Sequence, residues 1–292
     1  MRTRVRTWIA GARPNTLPAA LAPVLAGAAV PAHFGVHRWW IALGCFVVAL
    51  GLQIGVNFAN DYSDGIRGTD DDRVGPTRLT ASGLASPAAV KRAAFACFGV
   101  SALAGLAVVA ASGQWWLLAV GVVCILAAWY YTGGHHPYGY LGLGEVFVFV
   151  FFGLVAVCGT AYVIAGWLPA AAWPAAVAVG SLASALLVVN NLRDLDRDKV
   201  AGKLTLATRL QDRGTRWFYV ALVAFAALNV VVFAAMTNWW VLGALAAFGL
   251  AVPPVRRMLA GARGRDLIPL LRATSLTELL MAFGLLVGVV MG

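Results

Sequence analysis

Apolar residues run along this chain in long blocks and do not alternate with polar ones. Nine blocks carry almost no charge, near residues 17–35, 40–60, 93–112, 115–131, 145–165, 173–192, 217–236, 239–255 and 273–291. A helix that rises about 1.5 Å per residue needs roughly 20 such residues to cross about 30 Å of hydrocarbon. The blocks are rich in Ala and Leu and lack the period-2 alternation of barrel strands. The pattern therefore predicts an all-α polytopic membrane protein with nine transmembrane helices. Pro18, Pro23 and Pro31 in the first block and Pro174 in the sixth fit a spanning helix near an end or as a kink.

Composition agrees. Of 292 residues, 61% are hydrophobic and 12% charged, against about half and about a quarter in soluble domains. No polar stretch is long enough for a separate soluble domain, so residues 1–292 are expected to form one transmembrane domain. The basic start, MRTRVRTWIAGARPNTL, leads into no small-residue cleavage pattern, so the first span is expected to stay in the bilayer. Cys45, Cys97, Cys124 and Cys158 all lie in apolar runs and form no CxxC, and read as small buried side chains.

The 22 Lys and Arg set the orientation. Four precede the first block, five follow the second (Arg67, Arg73, Arg78, Lys91, Arg92), seven follow the sixth and five follow the eighth; only Arg38 falls on the other face. Positive charge gathers on the cytoplasmic side. The N-terminus and the even-numbered loops are thus expected inside and the C-terminus outside. The opposite connections (ASGQ, AGWLPAAA, TN) are too short to hold chemistry, so the segments 61–92, 131–144 and 193–216 are expected to form cytoplasmic cap loops.

Eight of the 12 acidic residues sit in two clusters, each just past the end of an apolar block: Asp61, Asp64, Asp70, Asp71 and Asp72, then Asp194, Asp196 and Asp198. Asn57 precedes Asp61 by four residues, and Asn190 precedes Asp194 by four. On a continuing helix Asp61 and Asp64 share one face, as do Asp194 and Asp198. Carboxylates crowded into a cavity of low dielectric repel unless cations join them. Mg²⁺ suits such hard oxygens and is held by one or two carboxylates plus phosphate oxygens. The spacing points to Asp61, Asp64, Asp194 and Asp198 as metal-ligating catalytic residues, with Asn57 and Asn190 adding neutral oxygens and Asp70 a further candidate ligand. Arg67, Arg73, Arg78, Lys203 and Arg209 suit a diphosphate. The plainer reading, charge runs as solvated loop faces, fits Asp70, Asp71, Asp72 and Asp196 best.

Asn60, Asp61 and Asp64 match the start of NDxxDxxxD; the last position falls on Gly68, with Asp70 two residues on, while Asp194 and Asp198 satisfy DxxxD. This resembles the intramembrane aromatic prenyltransferases of the UbiA superfamily. Four stretches are similar to the branch acting on 1,4-dihydroxy-2-naphthoate: RPNTLPAALAPVLAG (13–27), NDYSDGIRGTDDDRVGPTRLTASG (60–83), YTGGHHPYGYLGLGEVFVFVFFG (131–153) and NNLRDLDRDKVAGKLTLATRL (190–210). In the last, Gln211 follows where the similar sequences have glycine. The resemblance implies a nine-helix bundle around a central cavity capped on the cytoplasmic side of a bacterial inner membrane. It implies transfer of a polyprenyl group from polyprenyl diphosphate to the naphthoate, with loss of CO₂, giving demethylmenaquinone. Two Mg²⁺ ions would bridge the diphosphate, with Asn60 and Asn191 in the substrate-binding set. A sibling acceptor, such as 4-hydroxybenzoate or a tetrapyrrole, stays open. An ion transporter is the other class, but its path needs polar groups through the bilayer, and here the acids gather at one face.

The 131–144 segment has no Lys or Arg and is rich in Gly and aromatics, as expected for a flexible cap. Tyr131, Tyr138 and Tyr140 are expected to line the aromatic pocket, or else to join an interfacial belt. Arg13 is placed to bind the naphthoate carboxylate, or to anchor the first span. Glu145, at the start of the fifth block, is set to meet the cap or the cation site. His135 and His136 read as surface residues. Gln53 reads as polar glue between helices, and Glu278, in the last span, is a costly charge with no assigned role. Asp61 or Asp64 is the candidate base for the naphthol proton.

Overall fold

A computed structural model of the chain describes residues 2–68 and 78–292, with side chains from residue 5 onward. Asp70, Asp71, Asp72 and Arg73 lie outside the described residues. Among the described residues the regular structure is all helical. The chain runs through α1 (Arg2–Ala12), α2 (Pro18–His33), α3 (Trp39–Ile66), α4 (Pro87–Ser112) and α5 (Leu117–Tyr130). It continues through α6 (Gly144–Ala165), α7 (Ala172–Arg193), α8 (Leu195–Val200), α9 (Leu206–Met236), α10 (Trp239–Leu259) and α11 (Ile268–Met291).

Each of the nine apolar blocks falls on one of these helices. Seven helices are long and apolar enough to cross a membrane, or eight if Val5–Thr16 and α2, bent by 49°, act as one span. The two blocks below that length have clear reasons. Pro14 and Pro18 break the first helix, and α5, with 14 residues, extends only about 21 Å.

Local chemistry sets the ends. Ser86 caps α4, accepting the Ala89 amide at 3.3 Å, with Pro87 in the first turn. Gly113 and Gly166, at φ 74° and 90°, close α4 and α6 in the left-handed conformation that glycine adopts without strain. Packing then follows small residues. A methyl group on Gly153 of α6 would lie 2.6 Å from the Ala176 carbonyl of α7, and one on Gly288 of α11 would lie 2.6 Å from Val241 Cα of α10. Lipid is as apolar as leucine, so close backbone approach supplies the packing that hydrophobic burial cannot. α7 is enclosed by the others: Ala175, Ala178, Ser181 and Ala185 are fully buried.

Eight of the 11 tryptophans (Trp39, Trp40, Trp115, Trp116, Trp167, Trp173, Trp239, Trp240) are exposed beside the short, nearly uncharged connections. That is the place of an interfacial aromatic belt. Where α3 and α9 run beyond their apolar blocks they carry charge, Asp61 and Asp64 on α3 and Arg209, Asp212, Arg213 and Arg216 on α9.

Candidate active site

A cavity of about 1410 Å³ opens among α2 to α8 and α11. Its inner walls are apolar, with Val48 and Leu52 of α3, Ile125 of α5, and Phe151 and Phe152 of α6. Its far end is charged: Asp64, Arg78, Asp194, Arg197, Asp198 and Lys203 all line it. The two Asp-rich motifs, more than a hundred residues apart, thus share one hollow.

α3 positions the first motif. Gln53, Asn57 and Asp61 recur every turn on a buried stripe. Gln53 and Asn57 both donate to Thr16 Oγ1, at 3.2 and 3.0 Å, and Asn57 also donates to the Ala12 carbonyl. They tie the α1–α2 break to α3 while lining the cavity. Asp61, also expected as a ligand, meets backbone amides in this structure. It is 1% exposed, does not line the cavity, and accepts the backbone amides of Leu79 and Thr80 at 2.7 and 2.9 Å. It fixes the chain as it re-enters before α4, where Arg78 sits.

Asp64 faces the cavity. Tyr140 Oη donates to its Oδ1 at 2.6 Å, Arg78 lies 3.7 Å away and Lys203 3.8 Å away. Burial alone would lower the Lys203 pKa, but the Asp64 carboxylate and Tyr140 outweigh it and hold it above the ordinary lysine range. Lys203 Nζ also stands 4.4 Å from the centre of the Tyr140 ring. Burial and then the Asp64 charge push the Tyr140 phenol up.

The second motif ends α7. Asp194 has φ −95° and ψ 4°, a break that starts α8. Arg193 grips Asp194 through Nε to Oδ1 at 2.8 Å and Nη2 to Oδ2 at 2.7 Å, and donates again to Asn190 Oδ1 at 2.8 Å. Asp198 turns inward on α8, and its carbonyl accepts the Lys203 amide at 2.8 Å, folding Lys203 back over the site. Asp196 is exposed, as the solvated reading expects. Among the described residues no three Asp, Glu, His or Cys side chains are close enough to hold an ion by themselves. The arginines and lysine beside Asp64 and Asp194 neutralise them here.

The 131–144 segment, expected as a flexible cap, is tied to its neighbours. Arg67 donates to the Thr132 and Gly134 carbonyls, Arg209 Nη2 to the Leu141 carbonyl at 3.0 Å, and the Leu204 amide to the Tyr140 carbonyl at 3.0 Å. Arg67 and Arg209, expected on the diphosphate, fasten this segment and do not line the cavity. Asn60 Oδ1 accepts Thr132 Oγ1 at 2.7 Å, a further tie at the cavity wall. Tyr131, Tyr138 and Tyr140 all line the cavity. Tyr138 donates to the Ala127 carbonyl at 2.8 Å and stacks on Phe147 at 4.1 Å. Burial raises the phenol pKa of Tyr131 and Tyr138. His135 and His136 are exposed.

Arg13 has φ 55° and ψ 71°, a left-handed conformation unusual for a non-glycine residue. It lines the cavity, and its buried Nη2 has no hydrogen-bond partner among the described residues. Asn191 also lines the cavity and donates to Glu145 Oε1 at 2.9 Å. Glu278 is fully buried away from the cavity, with both oxygens lacking a partner among the described residues. Sequence reading passed over Arg193, Arg197 and Arg272, which all line the cavity. The signal for the first two was their place within NNLRDLDRD, beside or one turn from Asp194.

The sequence model of the UbiA prenyltransferase family matches residues 20–289. The chain belongs to that family. It is 51% identical over 275 residues, 94% of each chain, to a 1,4-dihydroxy-2-naphthoate octaprenyltransferase of Mycobacterium tuberculosis. The fold resembles the apo structure of a UbiA homologue from Aeropyrum pernix K1, with a TM-score of 0.73, 13% identity, and coverage of 92% of this chain and 97% of that one. It also resembles a UbiA homologue from Archaeoglobus fulgidus bound to DMAPP and Mg²⁺, with a TM-score of 0.63, 14% identity, and coverage of 96% and 99%.

Proposed function

We propose that this protein transfers a polyprenyl group from polyprenyl diphosphate to 1,4-dihydroxy-2-naphthoate, with loss of CO₂, in menaquinone biosynthesis. One observation carries the reading: a single cavity joins a charged end to a long apolar wall. A polyprenyl diphosphate is amphiphilic in the same way. The likeness to the mycobacterial enzyme supports the naphthoate as acceptor.

The donor set suits Mg²⁺, which needs only one or two carboxylates when phosphate oxygens complete its shell. Two ions are the proposed complement, and Asp64, Asp194, Asp198 and Asn190 would hold them. When bound, Mg²⁺ would neutralise the diphosphate oxygens. Asp61 acts from behind, holding the backbone at Leu79 and Thr80 so that Arg78 faces the site.

The chain's own groups do the rest. Arg78, Arg197 and Lys203 line the charged end and meet the diphosphate as the allylic C–O bond breaks and its electron pair leaves with the phosphate oxygen. Tyr140 holds Asp64 in place. The apolar walls exclude water from the allylic cation. Arg13 offers its unpartnered Nη2 to the naphthoate carboxylate. The new C–C bond forms at the ring carbon bearing that carboxylate. The bond to CO₂ then breaks and its electrons restore the ring, so charge balances without a dedicated base. The quinol product becomes demethylmenaquinone on oxidation.

In the bilayer we place nine crossings, the N-terminus in the cytoplasm and the C-terminus outside, in a bacterial inner membrane. The segments 131–144 and 193–216, with the described residues of 61–92, then cover the site from the cytoplasm, and the prenyl tail reaches lipid between helices. The test is acceptor choice. Membranes containing the protein, given polyprenyl diphosphate and Mg²⁺, should consume 1,4-dihydroxy-2-naphthoate, lose activity in EDTA and regain it on adding Mg²⁺. Consumption of 4-hydroxybenzoate instead would move the reading to a sibling acceptor.

A further inference from the structure

Arg193 makes three hydrogen bonds, and all three end on oxygens expected to hold a cation. Nε and Nη2 take both carboxylate oxygens of Asp194, at 2.8 and 2.7 Å, and Nη2 also takes Asn190 Oδ1 at 2.8 Å. The pair is well buried, with side-chain exposures of 2% for Arg193 and 10% for Asp194. The guanidinium therefore covers the Asp194 and Asn190 oxygens of the second motif. A buried ion pair of this geometry is not displaced without compensation, since each separated charge would be left in low dielectric.

We propose that Arg193 is a built-in competitor for the metal. It covers Asp194 and Asn190 until a diphosphate arrives, then releases them to Mg²⁺ and turns its fork to the phosphate oxygens. This rests on the Mg²⁺-diphosphate reading above. The cavity supports the exchange, since Arg193, Asn190 and Asp194 all line it, with Arg197 and Lys203 at the same charged end. Guanidinium forks match phosphate as well as carboxylate, so Arg193 has a second anion to bind within the same hollow. The device makes metal and diphosphate bind together. A metal ion alone must break the Arg193–Asp194 pair unaided, whereas metal with diphosphate re-pairs every charge. By linkage each ligand then strengthens the other by the same factor. The site stays uncharged by metal until a substrate diphosphate is present.

The experiment measures Mn²⁺ binding by electron paramagnetic resonance on purified, detergent-solubilised protein, with and without inorganic pyrophosphate. Wild-type protein should bind Mn²⁺ weakly alone and at least about 10-fold more tightly with pyrophosphate, a coupling of about 1.4 kcal/mol. Arg193→Met should bind Mn²⁺ alone about 10-fold more tightly than wild type and lose most of the coupling. Arg193→Lys keeps the charge without the fork and should fall between them; it also serves if the Met variant does not fold. Unchanged or weaker Mn²⁺ binding in the variants overturns the proposal. If wild-type protein binds no Mn²⁺ even with pyrophosphate, the metal-diphosphate reading itself fails, a distinct result.

Discussion

At the residue scale, two aspartates three positions apart stand in different surroundings. Asp64 faces the cavity with Tyr140, Arg78 and Lys203 around it, while Asp61 holds the Leu79 and Thr80 amides. Asp64→Asn should lower kcat by about 100-fold or more, the usual loss when one group serving developing charge is removed, with little change in melting temperature. Asp61→Ala strands two backbone amides beside a buried site and should cost about 1–3 kcal/mol of stability, seen as a lower melting temperature in detergent. Equal activity loss with equal stability in both variants would contradict this division. The motif alone hid it, since helical spacing gives a shared face but not where a later segment returns to meet it. Gln211 shows the reverse case. The sequence departs there from similar stretches that carry glycine, and the backbone stands at φ 58° and ψ −178°, a region nearly confined to glycine. Gln211 Oε1 does accept Lys199 Nζ at 2.8 Å, but an exposed bond of this kind is a small return. Gln211→Gly should raise stability by about 1 kcal/mol or more, read as a higher melting temperature; a drop would mean the side chain matters more than the strain.

At the element scale, hydrophobic length was enough to place the helices. All nine blocks fall on helical segments, because apolar runs near 20 residues leave the backbone no other way to satisfy itself in lipid. What lies between the blocks was less legible. The 131–144 segment has the Gly-rich composition of a mobile loop, yet Arg67 and Arg209 fasten it from α3 and α9. Such long-range ties have no local signature. Winding was equally hidden: Phe149–Cys158 of α6 is a π-helix and Trp239–Ala251 of α10 is 3₁₀, and neither follows from composition. The fastening has a consequence. Arg67→Ala combined with Arg209→Ala should free the segment, so that limited proteolysis cuts within 131–144 several-fold faster than in wild type, and KM should rise as Tyr140 loses its place beside Asp64. Unchanged cleavage would mean that the Leu204–Tyr140 backbone bond holds the segment alone.

At the scale of the whole molecule, the arrangement in the bilayer turns on α5. With 14 residues it reaches about 21 Å, short of about 30 Å of hydrocarbon. Its ends, however, carry Trp115, Trp116, Trp129 and Tyr130, aromatics that settle at interfaces, and a bilayer thins locally around a short span at modest cost. A crossing α5 would also keep the charged segments after α7 on the same side as those after α3, as the split of Lys and Arg predicts. In a variant with Cys45, Cys97, Cys124 and Cys158 replaced by alanine, Gly113→Cys should react with a membrane-impermeant thiol reagent on intact cells. His135→Cys should react only once the membrane is opened. Labelling of both from the same side would show that α5 turns back within the membrane, and would move the segment bearing Tyr138 and Tyr140 away from the face that holds Asp64.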